Sequence, residues 1–162
     1  MTQQKHILSI LVDNQPGVLS RIAGLFSGRG YNIESLSVAE TIDPLGSRIT
    51  MGTIADTPVV EQIMKQLHKL SNVIKVHEVT GSSYVQREMA LIKVVAKAEH
   101  RAEILRTVDI FRCKVVDVGR EHYTLEVTGD EGKINAILSL LKPIGSKEIA
   151  RTGIIALFRD PK

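Results

Sequence analysis

The sequence is short of sulfur and of aromatic rings. Cys113 is the single cysteine in 162 residues, which excludes an intramolecular disulfide and a thiolate-built metal site. Tryptophan is absent, and three Phe and three Tyr leave few rings for stacking on nucleic-acid bases. His6, His68, His77, His100 and His122 fall in no HxxxH or HExxH spacing, so no metal centre is expected. No run of about 18 apolar residues suggests a membrane span, and MTQQKH lacks the apolar core of a secretory signal. A cytoplasmic location with no membrane partner is the expectation. Charge of one sign is lacking too. The net charge is +3, residues 1–80 carry seven Lys/Arg against seven Asp/Glu, and residues 81–162 carry fourteen against eleven. No basic stripe results, so a nucleic-acid partner is not expected.

What is present is an ordered change of hydrophobic period. KHILSILV (5–12) is β-rich, and residues 16–28 place Val18, Leu19, Ile22, Leu25 and Phe26 at helical spacing, closed by Gly28 and Gly30. Two extended segments, 31–41 and 47–55, flank IDPLGS, whose Asp43-Pro44 and Gly46 suit a hairpin reversal. Thr57-Pro58 reads as a helix start, followed by an apolar stripe of Val60, Ile63, Met64, Leu67 and Leu70. VIKVHEV then gives a strand ending near residue 79.

After TGSSYVQ, which reads as a linker, the same order returns. MALIKVVAK is a strand, HRAEILRTVDIF a helix, and KVVDVGREHYTLEVTG a hairpin around Gly119. Asp130 caps a further helix, and GIIALFR is the expected closing strand. The predicted fold class is therefore α+β, with two ferredoxin-like βαββαβ modules divided as 1–80 and 81–162. A module of roughly 80 residues buries a little over 60% of its unfolded surface, so pairing with a second copy is expected to supplement its core.

This sandwich serves many functions, so specific residues must decide. ILSILV and RITMGTI carry no aromatic platform for RNA, the first loop has no cysteine pair for a soft metal, and neither GxGxxG nor GxxxxGK[ST] occurs. No arrangement of Ser, Cys, His and Asp nominates a catalytic residue. The turn DNQPGVLS offers a different chemistry. Asn14 supplies a donor and two acceptor lone pairs, Pro16 fixes the backbone before the helix, and Gly17 removes a side chain where something can approach. The N–H groups of the helix start attract a carboxylate, while Leu19 and Ile33 present apolar surface. These features suit a small aliphatic α-amino acid; they equally suit a plain Asx turn with a glycine relieving the bend.

NQPGVL resembles the NxxGxL-type loop of ACT domains, which bind small effectors at dimer interfaces. RGYNIESL (29–36), KQLHKL (65–70), REMALIKV (87–94), IFRCKVVDV (110–118), TGDEGKI (128–134) and ARTGIIAL (150–157) resemble the regulatory small subunit of acetohydroxyacid synthase, also called acetolactate synthase, over essentially the whole chain. Cys113 departs from the small residue expected there.

The resemblance implies an N-terminal ACT domain (1–80) for effector binding and dimerisation, and a C-terminal ACT-like small-subunit domain (81–162). It implies a chain that is no enzyme by itself and holds no cofactor. Its implied partner is a large catalytic subunit that carries thiamine diphosphate, Mg²⁺ and FAD and makes 2-acetolactate from pyruvate. The small subunit activates that partner and confers feedback inhibition by valine in branched-chain amino-acid biosynthesis. Transferred by position, the implied effector site consists of Asn14, Gly17, Val18, Leu19 and Ser20, with Asn32 and Ile33 from the second strand of the paired module. A free-standing amino-acid-sensing ACT regulator would use the same loop.

Overall fold

The computed structural model describes residues 2–161. Two compact units divide the chain: one reaches to Val85 and takes in the segment from Ile154 onward, and the other spans Gln86–Gly153.

The first unit contains β1 (Gln4–Asp13), α1 (Val18–Gly28), β2 (Ser35–Glu40), β3 (Gly46–Ala55), α2 (Thr57–His68) and β4 (Val73–Glu78). Its antiparallel sheet has the order β2-β3-β1-β4. Alternation on β1 turns Leu8, Ile10 and Val12 toward the helices, where Val18, Ile22 and Phe26 of α1 and Val60, Ile63 and Leu67 of α2 complete one buried cluster. Full burial of each large side chain contributes about 1.5–3 kcal/mol. The α2 cap is Asp56 rather than Thr57, since the Asp56 carbonyl accepts from Val59 and Val60. β2 begins at Ser35, later than the pattern suggests. Tyr31 first packs edge-on against Phe26, with ring centroids 6.4 Å apart, after Gly30 has turned the chain through a left-handed φ of 71°.

The second unit is built from β5 (Tyr84–Val95), whose first two residues lie in the first unit, α3 (Arg101–Phe111), β6 (Lys114–Val118), β7 (His122–Gly129), α4 (Glu131–Leu141) and β8 (Ser146–Arg151). The sheet order is β6-β7-β5-β8. Ala90, Ile92 and Val94 of β5 and Leu125 and Val127 of β7 bury against Ile104 and Val108 of α3 and Ile134, Ile137 and Leu141 of α4. As the sequence indicates, Asp130 caps α4, its carboxylate accepting from the Lys133 N–H at 2.8 Å.

Two expectations need correction. The presumed linker TGSSYVQ runs into β5, which starts at Tyr84. A strand the sequence pattern did not predict, SKEIAR, forms β8 beside β5, ahead of the expected last strand GIIALFR. Ile155–Phe158 forms β9, also paired with β5. Ile154 and Ala156 bury with Ile7 and Val79 in a small cluster of the first unit, and the compact unit that begins at Gln86 ends at Gly153. The physical reason is burial: every residue of SKEIAR is exposed on an edge strand and shows no alternation, so no apolar period marks it in the sequence.

Candidate effector turn

The turn between β1 and α1 is held by backbone and side chain together. The Asp13 N–H donates to the Asn72 carbonyl at 2.9 Å, and the Asn14 N–H donates to the Leu45 carbonyl at 2.8 Å. Asn14 Nδ2 donates to the Pro44 carbonyl at 2.9 Å and to Glu40 Oε1 at 3.2 Å. Both amide hydrogens of Asn14 are thus spent on the β2–β3 hairpin. Its Oδ1 is the hydrogen-bonding atom that remains, among the described residues, and an acceptor suits an ammonium group.

Gly17 is the α1 N-cap, with φ 86° and ψ −10°, and no side chain caps the helix. A Cβ built on Gly17 would meet nothing within 4 Å. The requirement for glycine is therefore conformational, and the space above the turn is open. The Val18 N–H reaches the Gln15 carbonyl only at 3.4 Å, and the Gly17, Leu19 and Ser20 N–H groups have no acceptor among the described residues. The first turn of α1 carries no acidic residue. Unpaired donors at the positive end of a helix make an anion site matched to a carboxylate.

The predicted residues separate into three kinds. Asn14, Gly17, Leu19 and Ser20 lie together and are exposed, with Leu19 the apolar surface beside the helix start. Val18 is 4% exposed and packs in the core, so only its backbone faces the turn. Asn32 and Ile33 are not brought to the turn at all; they precede β2, at the opposite end of the sheet. β1 residue Asp13 pairs with Gly46, whereas Ser35 pairs with Gly52, which faces Ile7. Six residues separate Ile7 from Asp13, a distance of about 20 Å along a strand. One amino acid cannot touch both places in a single chain.

Asn32 itself is well fixed. Its carbonyl accepts from Thr53 Oγ1 at 2.8 Å, and its Nδ2 donates to Glu34 Oε1 at 3.0 Å, again leaving Oδ1 as an acceptor among the described residues. Ile33 is half-buried against the core. The anchors that sequence reasoning missed are Glu40, Pro44 and Leu45, which hold Asn14, and Thr53, which holds Asn32. The Asp-Pro and Gly signals of IDPLGS announce the hairpin, but nothing in the sequence announces that it serves the turn.

No group of three or more His, Cys, Asp or Glu among the described residues could hold a metal ion, and no described helix is long and apolar enough to cross a membrane.

The βαββαβ sandwich with an exposed, uncapped helix start is the architecture that ACT domains share, and comparison with known proteins places the N-terminal unit in that class. The family of AHAS small subunit-like ACT domains matches residues 8–75, and the family of the small subunit of acetolactate synthase matches residues 87–160. The chain is 52% identical over 158 residues to the acetolactate synthase small subunit of Aquifex aeolicus, covering 97% of this chain and 82% of that protein. It is 45% identical over 159 residues to the acetolactate synthase isozyme 3 small subunit of Escherichia coli, covering 98% of each. The crystal structure of the acetolactate synthase small subunit from Thermotoga maritima is similar at a TM-score of 0.89 and 43% identity, covering 98% of this chain and 99% of that one. The chain belongs to the acetolactate synthase small-subunit family.

Proposed function

We propose that this chain is the non-catalytic regulatory subunit of an acetohydroxyacid synthase, and that it activates the catalytic subunit and confers feedback inhibition by valine. Thiamine diphosphate, Mg²⁺ and FAD belong to that catalytic partner, which condenses pyruvate to 2-acetolactate; this chain supplies no residue to the chemistry. The setting is the cytoplasm.

The observation that carries the reading is the split of the predicted site between the two ends of one sheet. β2 is an edge strand of six residues. If the β2 edges of two chains pair antiparallel about a two-fold axis, Glu40 of one lies opposite the partner's Ser35. Asn14, bonded to Glu40 and Pro44, then stands beside the partner's Asn32 and the partner's Ile33. A homodimer through the N-terminal unit thereby assembles two equivalent sites from halves that one chain keeps apart. The N–H groups at the start of α1 receive the valine carboxylate, the two Asn Oδ1 atoms its ammonium group, and Leu19 with the partner's Ile33 its isopropyl group. Valine then favours one placement of the paired units over another, and only such a differential affinity can alter the catalytic partner.

Isothermal titration of valine into the purified chain tests this, with Asn14→Ala beside it. Saturable heat from the native chain, reduced at least tenfold in affinity by Asn14→Ala, is the expected result. A native chain that binds no valine, alone or with the catalytic subunit, defeats the valine reading. An amino-acid response with no physical association with a thiamine enzyme would favour a free-standing ACT regulator.

A further inference from the structure

Each asparagine of the effector site is bonded to a carboxylate. Asn14 Nδ2 donates to Glu40 Oε1 at 3.2 Å, and Asn32 Nδ2 donates to Glu34 Oε1 at 3.0 Å. All of these side chains are exposed. Among the described residues no Lys, Arg or His forms an ion pair with either glutamate, and no Lys or Arg occurs in the sequence between Arg29 and Arg48. Both carboxylates therefore have lone pairs left for a further donor and no cationic partner among the described residues.

The turn thus has two electrical ends. The N–H groups of Gly17, Leu19 and Ser20 at the start of α1 form the positive one. Asn14 Oδ1 and the Glu40 carboxylate form the negative one, and the space above Gly17 is open, since a Cβ there would meet nothing within 4 Å. In the β2 pairing proposed above, the partner's Ser35 lies opposite Glu40, which brings the partner's Glu34 to the same end. Carboxylates set close together repel unless a cation comes between them. An α-amino acid supplies that cation and places its carboxylate at the helix start. A 2-oxo acid with the same side chain also has the carboxylate, but it presents a carbonyl oxygen to an end built of acceptors, where it makes no hydrogen bond.

We infer that Glu40, together with the partner's Glu34, determines specificity at the effector site by selecting an α-amino acid over the 2-oxo acid of the same carbon skeleton. This rests on the regulatory reading above and deepens it: the chain senses the amino acid and ignores its deaminated form.

The test is isothermal titration of the full chain with valine and, separately, with 3-methyl-2-oxobutanoate, which keeps valine's carboxylate and isopropyl group and carries a ketone in place of the ammonium group. Glu40→Gln removes the charge but keeps an acceptor for Asn14 Nδ2. The native chain is expected to bind valine at least tenfold more tightly than the oxo acid, and Glu40→Gln to weaken valine binding at least threefold. Raising the salt from about 0.05 M to about 0.5 M is expected to weaken valine binding to the native chain more than to Glu40→Gln, because an exposed charge pair is screened. Glu40→Asp keeps the charge and is expected to keep the native salt dependence. Equal native affinity for the two ligands overturns the inference and leaves valine as the effector. A smaller loss in Glu40→Gln, or a native salt dependence in that variant, overturns it too. Loss of the salt dependence in Glu40→Asp as well assigns Glu40 only to holding Asn14 and likewise overturns it. Failure of the native chain to bind valine, alone and with the catalytic subunit, removes the valine reading and the inference with it.

Discussion

Cys113, the single cysteine, is held at the end of a helix. It follows Arg112, which ends α3 in a left-handed conformation at φ 53°, and its N–H donates to the Val108 carbonyl at 2.9 Å. The side chain packs against the C-terminal core. Burial pushes its thiol above the ordinary value of 9.0, and nearby Lys133 opposes the shift without cancelling it. A raised thiol pKa means fewer thiolates in the native state than in the unfolded chain. Native Cys113 is therefore expected to react with a disulfide reagent at pH 8 more slowly than in denaturant. The linkage has a definite sign. Cys113 contributes stability that is fully present below pH 9 and declines as pH rises through its higher native value, because unfolding then releases a proton. Denaturant titrations from pH 8 to pH 10, compared with Cys113→Ala, check the prediction. The alanine variant should lose that component of the alkaline decline.

At the scale of elements, β5 and β8 are joined by a pair that the sequence does not advertise. Glu88 lies in the interior at 4% exposure, and Arg151 spans both its carboxylate oxygens, with Nε to Oε2 at 3.2 Å and Nη2 to Oε1. Hydrogen bonding to Glu88 raises the Arg151 pKa. The next residue, Thr152, donates its N–H to the Met89 carbonyl at 3.0 Å and accepts from the Met89 N–H at 3.1 Å. Removing the cation leaves a buried carboxylate without its ion-pair partner. Arg151→Met is expected to destabilise the C-terminal unit by about 3 kcal/mol, and adding Glu88→Met should recover much of that loss. Urea denaturation of the two single variants and the double variant reads the coupling directly. Equal, additive losses would contradict the pair's assigned role.

The same elements show what was legible beforehand. The strands and helices with a buried stripe, such as β1, α1, α2 and α4, were readable because burial imposes a period on the sequence. β8 was not, because all six of its residues are exposed. β9 was legible as a strand from its apolar character, but nothing local says that Ile154 and Ala156 bury with Ile7 and Val79. At the turn, Gly17 was legible as a backbone requirement and Asn14 as a polar anchor. The hairpin contacts of Asn14 were hidden, since Glu40, Pro44 and Leu45 become its neighbours only through the register of β1 against β3 and of β3 against β2.

At the scale of the whole molecule, the decisive feature of the proposed regulation is that one site needs two chains. The turn and Asn32 sit about 20 Å apart in a single sheet, by the length of strand between their registers. A site shared across a two-fold axis makes a prediction that a site within one chain cannot make. Asn14→Ala weakens the turn, and Asn32→Ala weakens the other half, so neither homodimer should bind valine at concentrations that just saturate the native chain. Mixed by co-expression or by refolding, the variants form heterodimers. In each of these, one site combines the intact Asn14 turn of the Asn32→Ala chain with the intact Asn32 of the Asn14→Ala chain, and the second site is doubly defective. Random pairing places half the molecules in heterodimers with one working site of two, so titration should recover about a quarter of the native binding stoichiometry, at native affinity. Recovery of sites at unchanged affinity is specific to sharing. Were the site contained within one chain, every chain in the mixture would still carry its own lesion, and the recovered stoichiometry would be zero. Inhibition of the reconstituted synthase should follow the same arithmetic, with valine sensitivity returning in the mixture although neither variant alone confers it.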